Sequence, residues 1–565
     1  MKRTALTVIL AAASIMAAHA QSAYDAWMFS ENNYEGTARS VAMGNAFTAL
    51  GGDLGAVSIN PAGSAVAGYS QLTLTPSLTF STNIATGSGF DGNEPTYFQD
   101  RMKSRMTQAG IPNVGFTFNF KTGRQSGLKN FTVGFIVNRT NNWCEDLYAR
   151  GTNSQTSFLA AAAADAQAEI AWMNDHKSPG EEDFTNLDYM NKQAYDYMNW
   201  KDVVGYRSGF FSAIDSEGKK FAGATEIVYN GGNHTLAGEV SQAYGRSVSG
   251  NKYEYLFNLG ANISDFVYLG FNLGVNTLTY NYSHYFKEGA YSDVHDFENV
   301  YVDDKGIEHT TYFKNAKYNY RYEADGTGVF AKLGVIVTPG NGLRFGAAIQ
   351  TPTSMTIKEE WQESGETHFT DSSFDGSEKS DPGEGEYRFN APWRVNLGAA
   401  YTLGKIAVIS ADYEVAFYNM MNYKFNRHDA PDEEIEYFQT INEDIRNMYG
   451  PAHYLRLGAE VKPLSYLSIR GGYNLATSAQ IKEYDSDQDE YYGIGRIYRH
   501  NVSLGLGFSS KKSFFADIAC RYTLPENEYI TPYSDYLAAE NGALPPEIHS
   551  RRSDWKVLLT LGWRF

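Results

Sequence analysis

The chain of 565 residues is short of cysteine, of unbroken apolar runs and of positive charge. Each shortage excludes something. Two cysteines, Cys144 and Cys520, cannot staple a protein of this length, so a disulfide scaffold is ruled out. Beyond residue 20 no run of about 18 apolar residues occurs, which leaves no helix able to span a bilayer. Basic residues number 47 against 65 acidic ones, a formal charge of −18, and setting aside Lys2 and Arg3 of the N-terminal segment makes it −20. A polyanion would be repelled, so no nucleic-acid partner is expected. HExxH, GxSxG and P-loop patterns are absent and the histidines are scattered. No catalytic residue, metal or other cofactor is therefore expected.

What is abundant is glycine, 53 residues, and aromatics, 15% of the chain with 41 tyrosines among them, a β-protein composition. Lys2 and Arg3 precede the apolar stretch Ala5 to Ala18 and the small-x-small ending Ala18-His19-Ala20. This reads as a signal peptide over residues 1–20, cleaved after Ala20. The mature chain is then either soluble outside the cytoplasm or a membrane barrel.

Period-two alternation favours the barrel. Val267, Leu269, Phe271, Leu273 and Val275 alternate with Tyr268, Gly270, Asn272, Gly274 and Asn276. Leu455, Leu457, Ala459 and Val461 alternate with Tyr454, Arg456, Gly458 and Glu460. Fourteen strands start near residues 71, 113, 130, 253, 266, 326, 342, 388, 405, 452, 466, 496, 512 and 554. Short links fall at Lys121–Lys129, Ser264–Phe266, Thr338–Gly342, Leu403–Lys405, Lys462–Tyr466 and Ser509–Lys512, and every intervening link is longer. Strict short-long alternation is the mark of outer-membrane barrels, and a soluble sandwich has no reason for it. The final segment alternates Trp555, Val557, Leu559, Leu561 and Trp563 up to a terminal Phe565. The expectation is an all-β protein: a 14-stranded antiparallel transmembrane barrel over residues 71–565, in the bacterial outer membrane and surrounded by its lipid.

Residues 21–70 are too many for a tail, and a lumen of fourteen strands is wide enough to need filling. Ala38 to Leu50 has helical spacing, Gly51-Gly52 would stop it and Asn60-Pro61 would set a turn. A Gly/Ala-rich helix, then Asp53 and Asn60-Pro61-Ala62-Gly63, ahead of a first barrel strand, resembles the hatch of the FadL family of outer-membrane long-chain fatty acid and hydrophobic-compound transporters. Ala391-Pro392-Trp393-Arg394-Val395-Asn396-Leu397-Gly398, Ala411-Asp412-Tyr413-Glu414 and Arg470-Gly471-Gly472-Tyr473 are also similar to that family. The resemblance implies an N-terminal hatch plugging the lumen and passive uptake of a fatty acid-like ligand, with no enzyme activity. Ligand would pass from an outer apolar groove to a lumenal pocket and leave by a lateral opening in the wall. It places Asn60, Pro61 and Ala62 beside that opening, with Met43, Phe47 and Leu50 on the adjoining helix. It also implies that the barrel-assembly machinery reads Phe565. A monomer is expected.

The chain departs from the family in its loops, chiefly residues 140–252. Ser157 to His176 suits a helix there, and Phe158, Leu159, Trp172 and Met173 are candidates for an outer capture groove. A second helix is expected over Glu433–Tyr449. Arg344, Arg394, Arg456 and Arg470 face the lumen by parity and are candidate anchors for a ligand carboxylate; acids on the same wall are their alternative partners. Asp485 to Asp489 imitates the start of a calcium loop but lacks its glycine and final glutamate, and reads as a solvated acidic loop. Two other classes remain: a structural or adhesive barrel with a sealed lumen, and a lipid hydrolase using a pair such as Ser503 and His500.

Overall fold

A computed structural model of the protein describes residues 22–87, 97–229, 234–302, 306–404, 406–424, 432–485, 490–510, 513–533 and 546–565. The signal peptide expected over residues 1–20 and residues 486–489 of the acidic loop lie outside them. The barrel strands are β1 (Gln71–Gly87), β2 (Met102–Lys121), β3 (Leu128–Asn153), β4 (Val240–Ile263), β5 (Val267–Ala290), β6 (Glu308–Gly340), β7 (Leu343–Gln350), β8 (Arg394–Leu403), β9 (Ala407–Phe417), β10 (Pro451–Leu464), β11 (Leu467–Thr477), β12 (Tyr498–Ser509), β13 (Phe514–Ile530) and β14 (Ile548–Arg564). Each pairs antiparallel with the next, and β14 pairs with β1, so the sheet closes. At the closure Ser70 and Phe565 exchange backbone hydrogen bonds of 3.1 and 3.0 Å.

Alternation decides which face meets lipid. On β12 Leu504 is 65% exposed while Ser503 is 2% exposed, because the outer face carries the apolar residues and the inner face the polar ones. The outer belt includes Leu74 and Leu78 on β1, Leu269 and Leu273 on β5, and Leu559 and Trp563 on β14, all exposed. Closure removes every full-length edge, and the belt removes the cost of meeting hydrocarbon, so this is a membrane-spanning barrel of outer-membrane type. The six short turns sit together at one end, where Ser264 and Asp265 take left-handed φ values of 58° and 56° to sharpen the β4–β5 turn.

At the long-loop end the strands outrun the membrane. β3 runs to Asn153 and β4 begins at Val240, not near residue 253, so the connection expected over residues 140–252 is shorter than those strand bounds implied. Ser354–Phe369 and Gly383–Asn390 carry the line of β7 and β8 upward after breaks at Thr351-Pro352-Thr353 and Ala391-Pro392-Trp393. Proline brings no N–H to a ladder, which accounts for the paired breaks. The connection between β3 and β4 folds on itself around α3 (Phe158–His176) and α4 (Trp200–Arg207); α5 (Asp432–Met448) follows β9.

The N-terminal segment fills the lumen. α1 (Ala23–Ser30) is capped by a reciprocal Ser22–Asp25 box. α2 covers only Ala38–Ala42, not the helix to Leu50 expected from spacing. Gly44 and Asn45 both take left-handed φ, 61° and 60°, and end it. The chain from Met43 to Ser70 then turns repeatedly against the barrel wall.

Candidate functional site

The plug is fastened around a wide arc of wall. From β14, Thr560 accepts from the Ala38 amide at 2.7 Å; from β9, Asp412 accepts from the Thr48 amide at 2.6 Å. Arg344 on β7 donates to the Leu50 carbonyl at 2.8 Å, and Asn272 on β5 to that of Val57 at 2.9 Å. Asn60 donates to Thr48 within the plug at 2.7 Å and to Val335 on β6 at 3.1 Å. Close approach needs inward glycines. A Cβ on Gly334 would collide with the Asn60 side chain, and one on Gly270 with the Pro61–Ala62 backbone. Met43, Phe47 and Leu50 pack together with Tyr34 and Ile59 as the plug's apolar centre. At the top of the plug Lys252 and Arg394 reach the last carbonyls of α1, Phe29 at 2.8 Å and Ser30 at 2.9 Å, where a helix end favours cations.

The wall is stitched differently between β2 and β3. Their ladder runs only from Lys121–Asn130 to Asn113–Asn138. Above it Met102–Pro112 pairs with β1, and among the described residues its other edge has no ladder partner. Pro112, at the parting point, has no N–H to offer. Thr140 is an extra residue in β3 opposite Arg139–Asn141's partners on β4, a bulge that bends the strand inward. There β3 pairs with the plug instead: the amides of Asn33 and Glu35 donate to the carbonyls of Thr140 and Arg139 at 2.5 and 2.9 Å. Farther up, β3 lies across the lumen face of β1, with Arg139 donating to Ser77 at 2.9 Å and Thr79 to Asn142 at 3.1 Å. Glu35, fully buried, holds the corner: Arg139 donates to it at 2.7 Å, Arg521 stands at 3.5 Å, and Lys556 pairs with it too. The free part of β2 lies at lipid depth, since Ala109 and Thr107 pair with the exposed belt residues Leu78 and Phe80.

A cavity of about 430 Å³ opens above the plug. α1 forms its floor with Tyr24, Asp25 and Met28, and Trp200 of α4 closes it from the loop side. Its walls are tyrosines in period-two columns, Tyr280 and Tyr282 on β5 and Tyr320 and Tyr322 on β6, with Trp361 and Glu363 beyond β7. Trp200 and Trp361 lie 5.6 Å apart between ring centres, and Tyr280 meets Tyr322 edge-on at 6.2 Å. Phenols donate to acids here: Tyr322 to Glu359 and Tyr318 to Glu363, both at 2.8 Å. Burial pushes the Asp25 carboxyl up to about 7, against the pull of its Ser22 hydrogen bonds. Arg246, the cation on the lining, is taken by Glu528 at 2.9 Å and Glu145 at 2.5 Å. Two further apolar hollows, about 570 and 600 Å³, lie on the outer wall among belt residues such as Leu457 and Leu333 and face lipid.

Several residues singled out from sequence stand elsewhere than expected. Asn60, Pro61 and Ala62 lie toward the short turns against β4 to β6; Asn33 to Glu35 is the plug segment at the β2–β3 parting. The four arginines face the lumen but hold partners of their own. Arg394 and Arg456 share Glu414 at 2.8 and 2.5 Å, Arg470 joins Glu460 and Asp517 at 2.6 and 2.5 Å, and Arg344 serves the plug. Phe158 and Leu159 are buried in the core of the loop assembly, Phe158 stacked on Phe286 at 4.7 Å, so they line no groove. Met173 packs beside that core, and Trp172 is exposed, stacked on His176 at 4.3 Å. Ser503 faces the lumen, whereas His500, three residues away, bonds the outward Tyr473 at 2.7 Å. They form no hydrolytic pair. Cys144 and Cys520 are free thiols. Sequence reasoning missed the tyrosine columns, although Tyr280-Asn281-Tyr282 and Tyr318-Asn319-Tyr320-Arg321-Tyr322 show their period.

No family model matches the chain, and no curated protein does. Among solved structures it is similar to the P. putida toluene transporter TodX, at 12% identity over 94% of this chain and 98% of that one, with a TM-score of 0.47. It is likewise similar to a Pseudomonas aeruginosa FadL homologue, at 12% identity over 94% and 99%, TM-score 0.48. The monoaromatic hydrocarbon channel CymD follows at 9% identity over 94% and 97%, TM-score 0.41. These are likenesses of shape.

Proposed function

We propose that the protein is an outer-membrane channel for passive uptake of hydrophobic small molecules, which enter from the long-loop side, rest in the aromatic cavity above the plug and leave sideways between β2 and β3 into the membrane. One observation carries the reading. β3 abandons β2 at lipid depth and pairs with the plug, while the same plug is fastened to the wall on the other sides. A route straight down would require many of those fastenings to break together. It would also expose apolar surface to water at about 0.8 kcal/mol for each CH₂. A lateral exit avoids both costs.

Deleting Thr140 tests it. The deletion removes the bulge, restores β3's alternation and favours a longer β2–β3 ladder. Cells producing the deletion variant should lose uptake of a radiolabelled hydrophobic tracer while the barrel still reaches the membrane and keeps its heat-modifiable migration. Undiminished uptake in a folded variant refutes the lateral route. Failure of the unaltered protein to raise uptake at all would favour the sealed, structural barrel.

A further inference from the structure

The cavity above the plug combines two features that a store for fatty acids would not need together: a box of tyrosine and tryptophan faces, and carboxyl groups opening into it without a free cation. We infer that it selects organic cations, an ammonium group seated among Tyr280, Tyr322 and Trp361 against Asp25 and Glu363, with the apolar part of the ligand filling the remaining space. The inference rests on the uptake function proposed above and names its substrate class.

Three observations support it. The volume of about 430 Å³ lies within the roughly 300–1,000 Å³ of small-molecule sites, enough for an aryl- or alkylammonium compound. Electron-rich ring faces attract a cation, and one phenol of the lining, Tyr322, donates to the Glu359 carboxylate, which enriches its ring further. The charges of the surroundings are also one-sided. Arg246 is held by Glu145 and Glu528, and the nearby Lys201 ammonium is paired with Asp165. A ligand carboxylate would therefore enter beside Asp25 and Glu363 with Arg246 and Lys201 already engaged. The lumenal arginines that could have received it lie below α1, bound to Glu414, Glu460 and Asp517.

The test compares ligands of one shape and different charge on the purified full-length barrel in detergent, at about pH 8 so that the carboxyls are ionised. Tryptophan fluorescence, reporting through Trp200 and Trp361, is titrated with benzyltrimethylammonium, with its neutral carbon isostere neopentylbenzene, and with oleate. The ammonium should bind at least about tenfold more tightly than the isostere, and Asp25→Asn and Glu363→Gln should each weaken it by about tenfold. Neopentylbenzene should bind both variants as it binds the unaltered protein, which also certifies their folding. Equal affinity for cation and isostere, tighter binding of oleate, or variants without effect on the ammonium would overturn the inference and leave uptake standing. Binding of none of the three would overturn both.

Discussion

Two sectors of one wall differ in what holds them. From β4 around to β10 each strand is laddered to both neighbours along its membrane-spanning part, and the plug is pressed on that arc by inward glycines and amide hydrogen bonds. Between β2 and β3 the ladder stops part-way, and a strand-like piece of the plug takes the missing partner's place at Glu35. The laddered arc satisfies its backbone groups with neighbouring strands, as a hydrocarbon surround demands. At the parting β3 finds its partner in the plug instead, while the outer edge of β2 above Asn113 has no ladder partner among the described residues. A joint that borrows a partner from the plug can part without tearing the barrel, whereas the laddered arc cannot.

The comparison can be broken most severely at Glu35. Glu35→Gln leaves Arg139, Lys556 and Arg521 without their shared acid, and removing one member of a buried ion cluster costs about 3–5 kcal/mol. Urea unfolding in lipid vesicles should show that loss, and planar-bilayer recordings should show open-channel events that the unaltered barrel lacks. Next comes the laddered arc: Gly334→Val forces a side chain into Asn60 and Pro61, and overpacking of this kind costs about 1–3 kcal/mol. Its midpoint should fall while tracer uptake is kept. Asn60→Ala removes the bonds to Thr48 and Val335 and leaves the buried Thr48 carbonyl short of a donor, worth about 1–2 kcal/mol in the same assay. Trp172→Ala, on the exposed face of α3, belongs to neither sector and should change stability by less than about 0.5 kcal/mol.

Much of this architecture was legible. Strand number, short turns and the outward belt follow from parity, because hydrocarbon outside and water inside impose period two wherever the chain lies in the bilayer. The signal weakens where strands rise past the membrane. β2 begins at Met102, not near residue 113, and β6 at Glu308, not near residue 326. The upper ends of those extensions carry Lys103 and Arg105 on β2 and Lys317 and Arg321 beside tyrosines on β6, and above the belt no lipid sorts their faces. The cavity was hidden for the same reason, since its tyrosines stand in stretches that read as loop. Pro112 within a strand was a visible sign of the β2–β3 parting. The bulge at Thr140 left none, because a single extra residue changes no composition. The glycine seats were visible as inward residues at Gly270, Gly398 and Gly458, but only the plug's path shows what they admit. The arginines faced inward as parity requires; their engagement with Glu414 and Glu460 depends on cross-strand register, which alternation alone does not give.

Amide hydrogen exchange along β2 of the membrane-embedded barrel measures the joint itself. Slow exchange is expected at every amide from Asn113 to Thr117, which lie between two strands, and fast exchange at alternate amides from Lys103 to Ile111, those pointing away from β1. Uniformly slow exchange along the whole of β2 would mean that its upper edge is paired like the rest of the wall, and would contradict the lateral opening.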